Sequence, residues 1–286
     1  MADRGRALRT SLLLQRLRRA FELAPPIAEA PLPFALPEGR FEKAVVIAPH
    51  PDDEVIGCGG LIQSCVRGGT EVVVAFLTVE AQRSIVKPSQ RDGLDRRTAE
   101  SIDAQRVLGY HRREHLDSPE LGLAAEGPAA RALCERIRRR LEAHDPDLVV
   151  VPNHFESHPD HAAASTATLE AIAEARRAGG LRRLSRILVY EIWGPCRMNT
   201  FLSLSPEVVA AQERALGCYR SQLASVDYHA VMSFIHTFRA DDLRRHARRP
   251  AEGRAAHRVE AYELLAGDAV VDRYLEAIRE AVGRAH

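Results

Sequence analysis

His50, Asp52, Asp53 and Glu54 follow an apolar run, Val45 to Ala48, across the break of Pro49. Farther along, a second run, Leu148 to Val151, leads through Pro152 and a polar loop to His158, Asp160 and His161. Imidazole and carboxylate are the usual zinc donors where thiolates are absent, and a catalytic site takes about three of them, leaving one position for water. His50, Asp53 and His161 make such a His2Asp set, with two donors in one turn and the third on a neighbouring strand end. Asp52 is then left beside the metal, where a carboxylate can take a proton from water. His158 is the second spare group. When cationic it suits an oxyanion or a leaving amine, and Asp160 is the natural partner to orient its ring and favour its charge. Either motif alone is also what a helix N-cap looks like, since an aspartate there accepts hydrogen bonds from the first N–H groups. Both at strand ends point instead to one site for metal-assisted hydrolysis.

The elements that must position these residues read as alternating short β-branched runs and longer helical stretches. Strands are expected at AVVIAP, EVVVAFLTV, DLVVVP and RILVYEIW, with helices between them. This alternation predicts an α/β fold of Rossmann type: a mostly parallel sheet with helices on both faces, followed by a helical C-terminal part. Ligands in such sheets bind beyond the strands' carboxyl ends, at the topological switch point. GCGG after the first motif lacks the spacing of a phosphate-binding turn, so Gly57, Gly59 and Gly60 are expected to permit close helix packing. Residues 1–40 read as a basic helical arm and a proline-rich connection, and residues 41–286 as one catalytic domain. The arm is expected to cap the domain or pack on a sister subunit; attachment to a membrane surface is the other use of a basic amphipathic helix.

Lys and Arg number 40 against 39 for Asp and Glu, so there is no global basic field of the kind nucleic-acid binding requires. No apolar run approaches the roughly 18 residues that span a bilayer, and Leu12 to Leu14 is too short for a signal-peptide core. The expectation is a cytoplasmic protein without stable membrane insertion, acting on a small molecule, with helical ends suited to a homo-oligomer. Five cysteines without a C-x-x-C pair argue against a disulfide framework and against a thiolate zinc site. Cys58, near the first motif, is the one cysteine placed for a reactive role.

APHPDDE resembles the AHPDDE signature of the PIG-L/LmbE-like zinc-dependent N-deacetylases, and HPDH resembles their downstream H-x-D-H element. Arg97, Glu100, Ala104, Leu108 and Gly109 are similar to the family's helix pattern, as are YEIW, YRSQ and VEAYELL to its later elements. The resemblance spans about residues 43 to 266. It implies a Rossmann-like deacetylase fold that removes an N-acetyl group from an N-acetylglucosamine-type unit. By matched position, His50, Asp53 and His161 bind one Zn2+ per chain, with Fe2+ the alternative metal. Asp52 is the base, and His158, supported by Asp160, stabilises the oxyanion. The choice of Asp53 over Asp52 as ligand rests on this resemblance. Where family members have an aspartate after the third strand this chain has SPEL, so Glu120 or Asp117 must replace it. Arg83 and Arg91 in an unusually long, basic loop, together with Tyr190 and His236, complete the candidates for substrate contact. Two other readings stay open: an amidase for a non-sugar acyl amide or thiol conjugate, and a metal- or sugar-binding protein without turnover.

Overall fold

The computed structural model describes residues 2–22, 34–35, 41–78, 88–116, 126–246 and 257–284. In chain order the elements are α1 (Ala2–Glu22), β1 (Phe34–Ala35), β2 (Lys43–Ala48), α2 (Asp53–Arg67), β3 (Glu71–Phe76), α3 (Pro88–Leu108), β4 (Arg112–His115), α4 (Gly127–His144) and β5 (Leu148–Pro152). There follow α5 (Pro159–Arg177), β6 (Arg186–Tyr190), β7 (Thr200–Ser203), α6 (Pro206–Cys218), α7 (Arg220–Leu223), α8 (Tyr228–His246), β8 (Val259–Leu265) and α9 (Asp268–Arg284).

Side chains alternate across a strand, and here both faces are dry. Val46, Val74, Val150 and Leu188 meet α2, α3 and α6 on one side. Val45, Val73, Val149 and Val189 meet α4, α5 and α9 on the other. Burial on both faces is why these strands are continuous apolar runs rather than alternating ones.

Among the described residues the sheet has eight strands in the order β1-β7-β8-β6-β5-β2-β3-β4. β2 to β6 are parallel, while β8 runs antiparallel to both β6 and β7. From β2 the chain proceeds through β3 to β4 at one edge, then returns to the far side of β2 as β5. The reversal makes the β2–β5 boundary the switch point, and both histidine motifs leave from its carboxyl end.

The C-terminal part, expected to be helical, also supplies β7 and β8. VEAYELL is rich in helix-forming Glu, Ala and Leu, but a slot between β6 and β7 buries Val259, Glu260, Ala261 and Tyr262 together, and tertiary pairing overrides that local preference. At the other end α1 packs on α8, with Leu17 and Phe21 against Val231 and Ile235. No helix among the described residues is long and apolar enough to cross a membrane.

Candidate metal centre

The first motif is held in a turn that bends sharply after β2. Thr78 Oγ1 donates to the Pro49 carbonyl at 2.8 Å, and Arg97 donates to that of Pro51 at 3.1 Å. Asp52 has φ 112°, in the left-handed region that Asp and Asn tolerate best among residues with a Cβ. Its N–H donates to Glu54 Oε2 at 2.9 Å, and Glu54 Oε1 accepts from the Tyr219 hydroxyl at 2.5 Å. Burial pushes the Glu54 carboxyl up to about 7, against these hydrogen bonds.

Helix α2 breaks at Cys58, and the backbone groups so freed are paired in the interior. The Val55 carbonyl accepts from Gln212 Nε2 at 2.7 Å, while the N–H groups of Gly60 and Leu61 donate to Glu260 at 2.7 and 2.8 Å. The turn bearing Asp53 is thereby set apart from the rest of its helix. The glycines permit the approach, as expected. A Cβ on Gly57 would lie 2.3 Å from Tyr190 Cδ2, and one on Gly60 2.4 Å from Leu204 Cδ2.

His50, His158 and His161 each offer a ring nitrogen to a space in which these atoms lie within 4.8 Å of one another. Asp53 enters the same space. Its Oδ2 lies 3.1 Å from His50 Nδ1 and 3.2 Å from His161 Nε2. Behind the rings stand two more carboxylates, Asp160 Oδ2 at 2.9 Å from His50 Nε2 and Glu156 Oε2 at 2.6 Å from His161 Nδ1. Glu156 also accepts the Ile192 N–H. Burial opposes charge on the imidazoles, but Asp160 and Asp53 raise His50 to about 9, and Asp53 and Glu156 raise His161 to about 10. Against burial, the same two imidazoles hold the Asp53 carboxyl well below the usual range.

These residues fit a divalent cation. Among the described residues the buried His161 Nε2 makes no aligned hydrogen bond, Asp53 Oδ2 standing 3.2 Å away, although its ring is fixed through Nδ1 by Glu156. A histidine anchored to a carboxylate by one nitrogen and aiming the other at an acidic cleft is the arrangement metal-binding imidazoles adopt. His50, backed by Asp160, has the same form. Three buried carboxylates converging on two imidazoles also demand positive charge, which a cation supplies.

The expectation for Asp160 changes in one respect. Its carboxylate bonds His50, while its backbone N–H donates to His158 Nδ1 at 3.2 Å, so Asp160 braces one ring and caps α5 through the other. A ring nitrogen that accepts a backbone N–H carries no proton, leaving His158 neutral with its hydrogen on Nε2. Burial, then the neighbouring His50 and His161, lower the His158 pKa, so the charged form expected from the sequence is not the one favoured here. Asp52 is buried beside the cluster with Arg97 at 3.7 Å. Burial raises its carboxyl to about 8, with Arg97 opposing and Asp53 reinforcing.

Tyr190, a candidate for substrate contact, belongs to the core instead: it is fully buried and its hydroxyl donates to the Ile47 carbonyl at 3.0 Å. His236 is buried on α8, beside the charge of Arg258. Cys58 is buried and its thiol is pushed well above the usual range by burial, which removes it as a nucleophile. Arg83, Glu120 and Asp117 lie outside the described residues, as does the side chain of Arg91 on α3. Sequence reasoning passed over Glu156, although an acid two residues before His158 was its signal, and assigned no role at the turn to Arg97.

The described residues thus form a doubly covered α/β sheet with a buried histidine–carboxylate cluster at its switch point. Residues 45–172 match the family described as PIG-L, GlcNAc-PI de-N-acetylase. A Thermococcus kodakarensis relative named diacetylchitobiose deacetylase is 29% identical over 141 residues, covering 48% of this chain and 51% of the relative. The chain spans about half the length of the curated relatives it matches. Among solved structures, N,N'-diacetylchitobiose deacetylase from Pyrococcus horikoshii has a TM-score of 0.63 at 20% identity, covering 90% of this chain and 92% of that one. The 4-carboxy-2-hydroxymuconate hydratase GalB from Pseudomonas putida has a TM-score of 0.65 at 19% identity, covering 79% and 97%. The two structures share a fold with this chain and differ in reaction, so fold alone does not specify chemistry.

Proposed function

We propose that this chain is a zinc-dependent N-deacetylase that hydrolyses the N-acetyl amide of an N-acetylglucosamine-type conjugate. The observation that carries the reading is Asp53 Oδ2 lying between His50 Nδ1 and His161 Nε2, at 3.1 and 3.2 Å, with Asp52 and His158 spare beside them. The amino-sugar class is supported by relatives named as deacetylases of acetylated glucosamine compounds.

His50, Asp53 and His161 would hold the cation, which supplies a positive charge that acidifies water and polarises a carbonyl oxygen. Asp52 takes the proton of the attacking water. Its burial favours that role, because a carboxylate in a dry site is a stronger base near neutral pH than one in water. His158, with Nδ1 occupied, presents its Nε2–H to the oxygen that becomes negative as water adds to the acetyl carbon. Asp52 then returns its proton to the nitrogen as the C–N bond breaks, and acetate and a free amine leave.

Acetate release from a panel of N-acetylglucosamine conjugates, measured with the zinc- and iron(II)-loaded protein, tests this. Turnover confined to non-sugar acyl amides would make the protein a different amidase. Stoichiometric metal binding without acetate from any amide would leave a binding protein.

A further inference from the structure

We infer that the exposed face of α1 is a docking surface for an anionic lipid bilayer. Helix α1 carries six arginines against Asp3 and Glu22, a balance of +4 in a chain whose net charge is +1, so the remainder carries −3. The excess positive charge on this one helix is larger than that of the whole chain.

Arg4, Leu8, Leu12 and Arg16 recur at four-residue spacing and therefore share one ridge, with Arg19 three residues on. The ridge faces outward, with Leu8 61% and Leu12 50% exposed. Arg6 pairs with Asp227 and Arg18 with Glu22, whereas Arg4, Arg16 and Arg19 have no acidic partner among the described residues. A leucine pair is thus bracketed along the helix by uncompensated guanidiniums.

The opposite face fixes the helix lengthwise on the molecule. Leu17 and Phe21 are buried on α8, Arg9 Nε donates to the Ser225 carbonyl at 2.8 Å, and Thr10 Oγ1 accepts the Asp227 N–H at 2.9 Å. Phe21 also lies under the Arg239 guanidinium, 5.0 Å from its ring centroid. The ridge is therefore presented as a rigid line, with no ordering of the helix required on contact.

Two leucines are too little for a stable protein interface, which takes roughly 800 Å2 per partner. They suit a bilayer boundary, where a helix lies in the surface plane, inserts a few apolar side chains and extends arginines to the phosphates. A cleft of about 620 Å3 beside the ridge is lined by Arg6, Thr10, Leu14, Arg18 and Phe234 and also by Asp227, which pairs with Arg6, so the attraction for a phosphate comes from the unpaired arginines of the ridge. Charge complementarity selects an anionic surface over a neutral one. This inference rests on α1 and is independent of the reaction at the strand ends.

Sedimentation of the full chain with phosphatidylserine–phosphatidylcholine vesicles and with pure phosphatidylcholine vesicles tests it. Binding is expected to the anionic vesicles alone, weakening as salt is raised. Replacing Arg4, Arg16 and Arg19 together by Gln is expected to lower the partition roughly a hundredfold, and Leu8→Ala with Leu12→Ala about tenfold or more. All five positions are exposed, and an unchanged melting temperature separates lost docking from lost folding. Absence of binding to anionic vesicles at low salt, equal binding to neutral ones, or unchanged partition in both variants overturns the inference. So does dimerisation abolished by the leucine changes, which would make the ridge a contact between copies, or a stoichiometric complex with an acidic protein that excludes vesicles.

Discussion

Glu156 Oε2 lies 2.6 Å from His161 Nδ1 while the other Glu156 oxygen accepts the Ile192 N–H, so one buried carboxylate ties the second histidine motif to the end of β6. Glu156→Gln keeps the side chain's size but removes its charge from behind the imidazole. Losing such a partner typically costs about 10- to 100-fold in metal affinity. Chelator competition on the folded variant measures this, and zinc affinity equal to that of the parent would show that Glu156 only shapes the loop.

Asp52→Asn is expected to bind zinc as well as the parent and to lose roughly 10²- to 10⁴-fold in kcat. Asparagine also tolerates the left-handed conformation at φ 112°, so the turn survives the change. Metal content and turnover measured on the same preparation separate base from ligand. Loss of zinc together with activity would move Asp52 into the ligand set.

Gly57→Ala places a methyl group 2.3 Å from the Tyr190 ring and 3.2 Å from Ile192 Cγ1, both deep in the core. Forcing a methyl group into such a site costs about 1–3 kcal/mol. A lower denaturation midpoint is expected, with weaker metal binding because Asp53 sits one turn away. A midpoint equal to that of the parent would mean that α2 does not approach Tyr190 this closely in solution.

His236 is buried, its Nδ1 has no hydrogen-bond partner among the described residues, and burial followed by the charge of Arg258 lowers its pKa from 6.5 to about 3. The depressed value means that the unfolded chain binds a proton which the folded chain refuses. Its contribution to stability is therefore full above about pH 6.5 and is lost as pH falls towards about 3, at about 1.4 kcal/mol per pH unit. Denaturant titrations at a series of pH values should show a shallower acid loss for His236→Gln than for the parent. Parallel curves would remove His236 as a source of the acid sensitivity.

The strand-end placement of both motifs was legible because β-branched runs closed by proline and glycine define strands locally, and β2 and β5 need only be neighbours to join them. Strand β8 was hidden, since VEAYELL is composed largely of helix-forming residues and acquires its state from pairing with β6 and β7. Glu156 was hidden for a related reason. An acid in a polar loop is ordinary in sequence, and only the packing of that loop against Ile192 turns its carboxylate inward. Tyr190 misled because a tyrosine at a strand end can face either a pocket or the sheet, and here its hydroxyl goes to the Ile47 carbonyl.

By itself the sequence determined the donor chemistry and the elements that carry it, because side-chain type sets what a residue can bind and local periodicity sets strand or helix. It could not determine which carboxylate meets which imidazole. Asp160 lies two residues from His158, yet its carboxylate bonds His50, 110 positions away, and His161 is fixed by Glu156 rather than by its neighbour. Those pairings exist only once parallel pairing brings the carboxyl ends of β2 and β5 together, because hydrogen bonds act over ångströms of space and not along the chain.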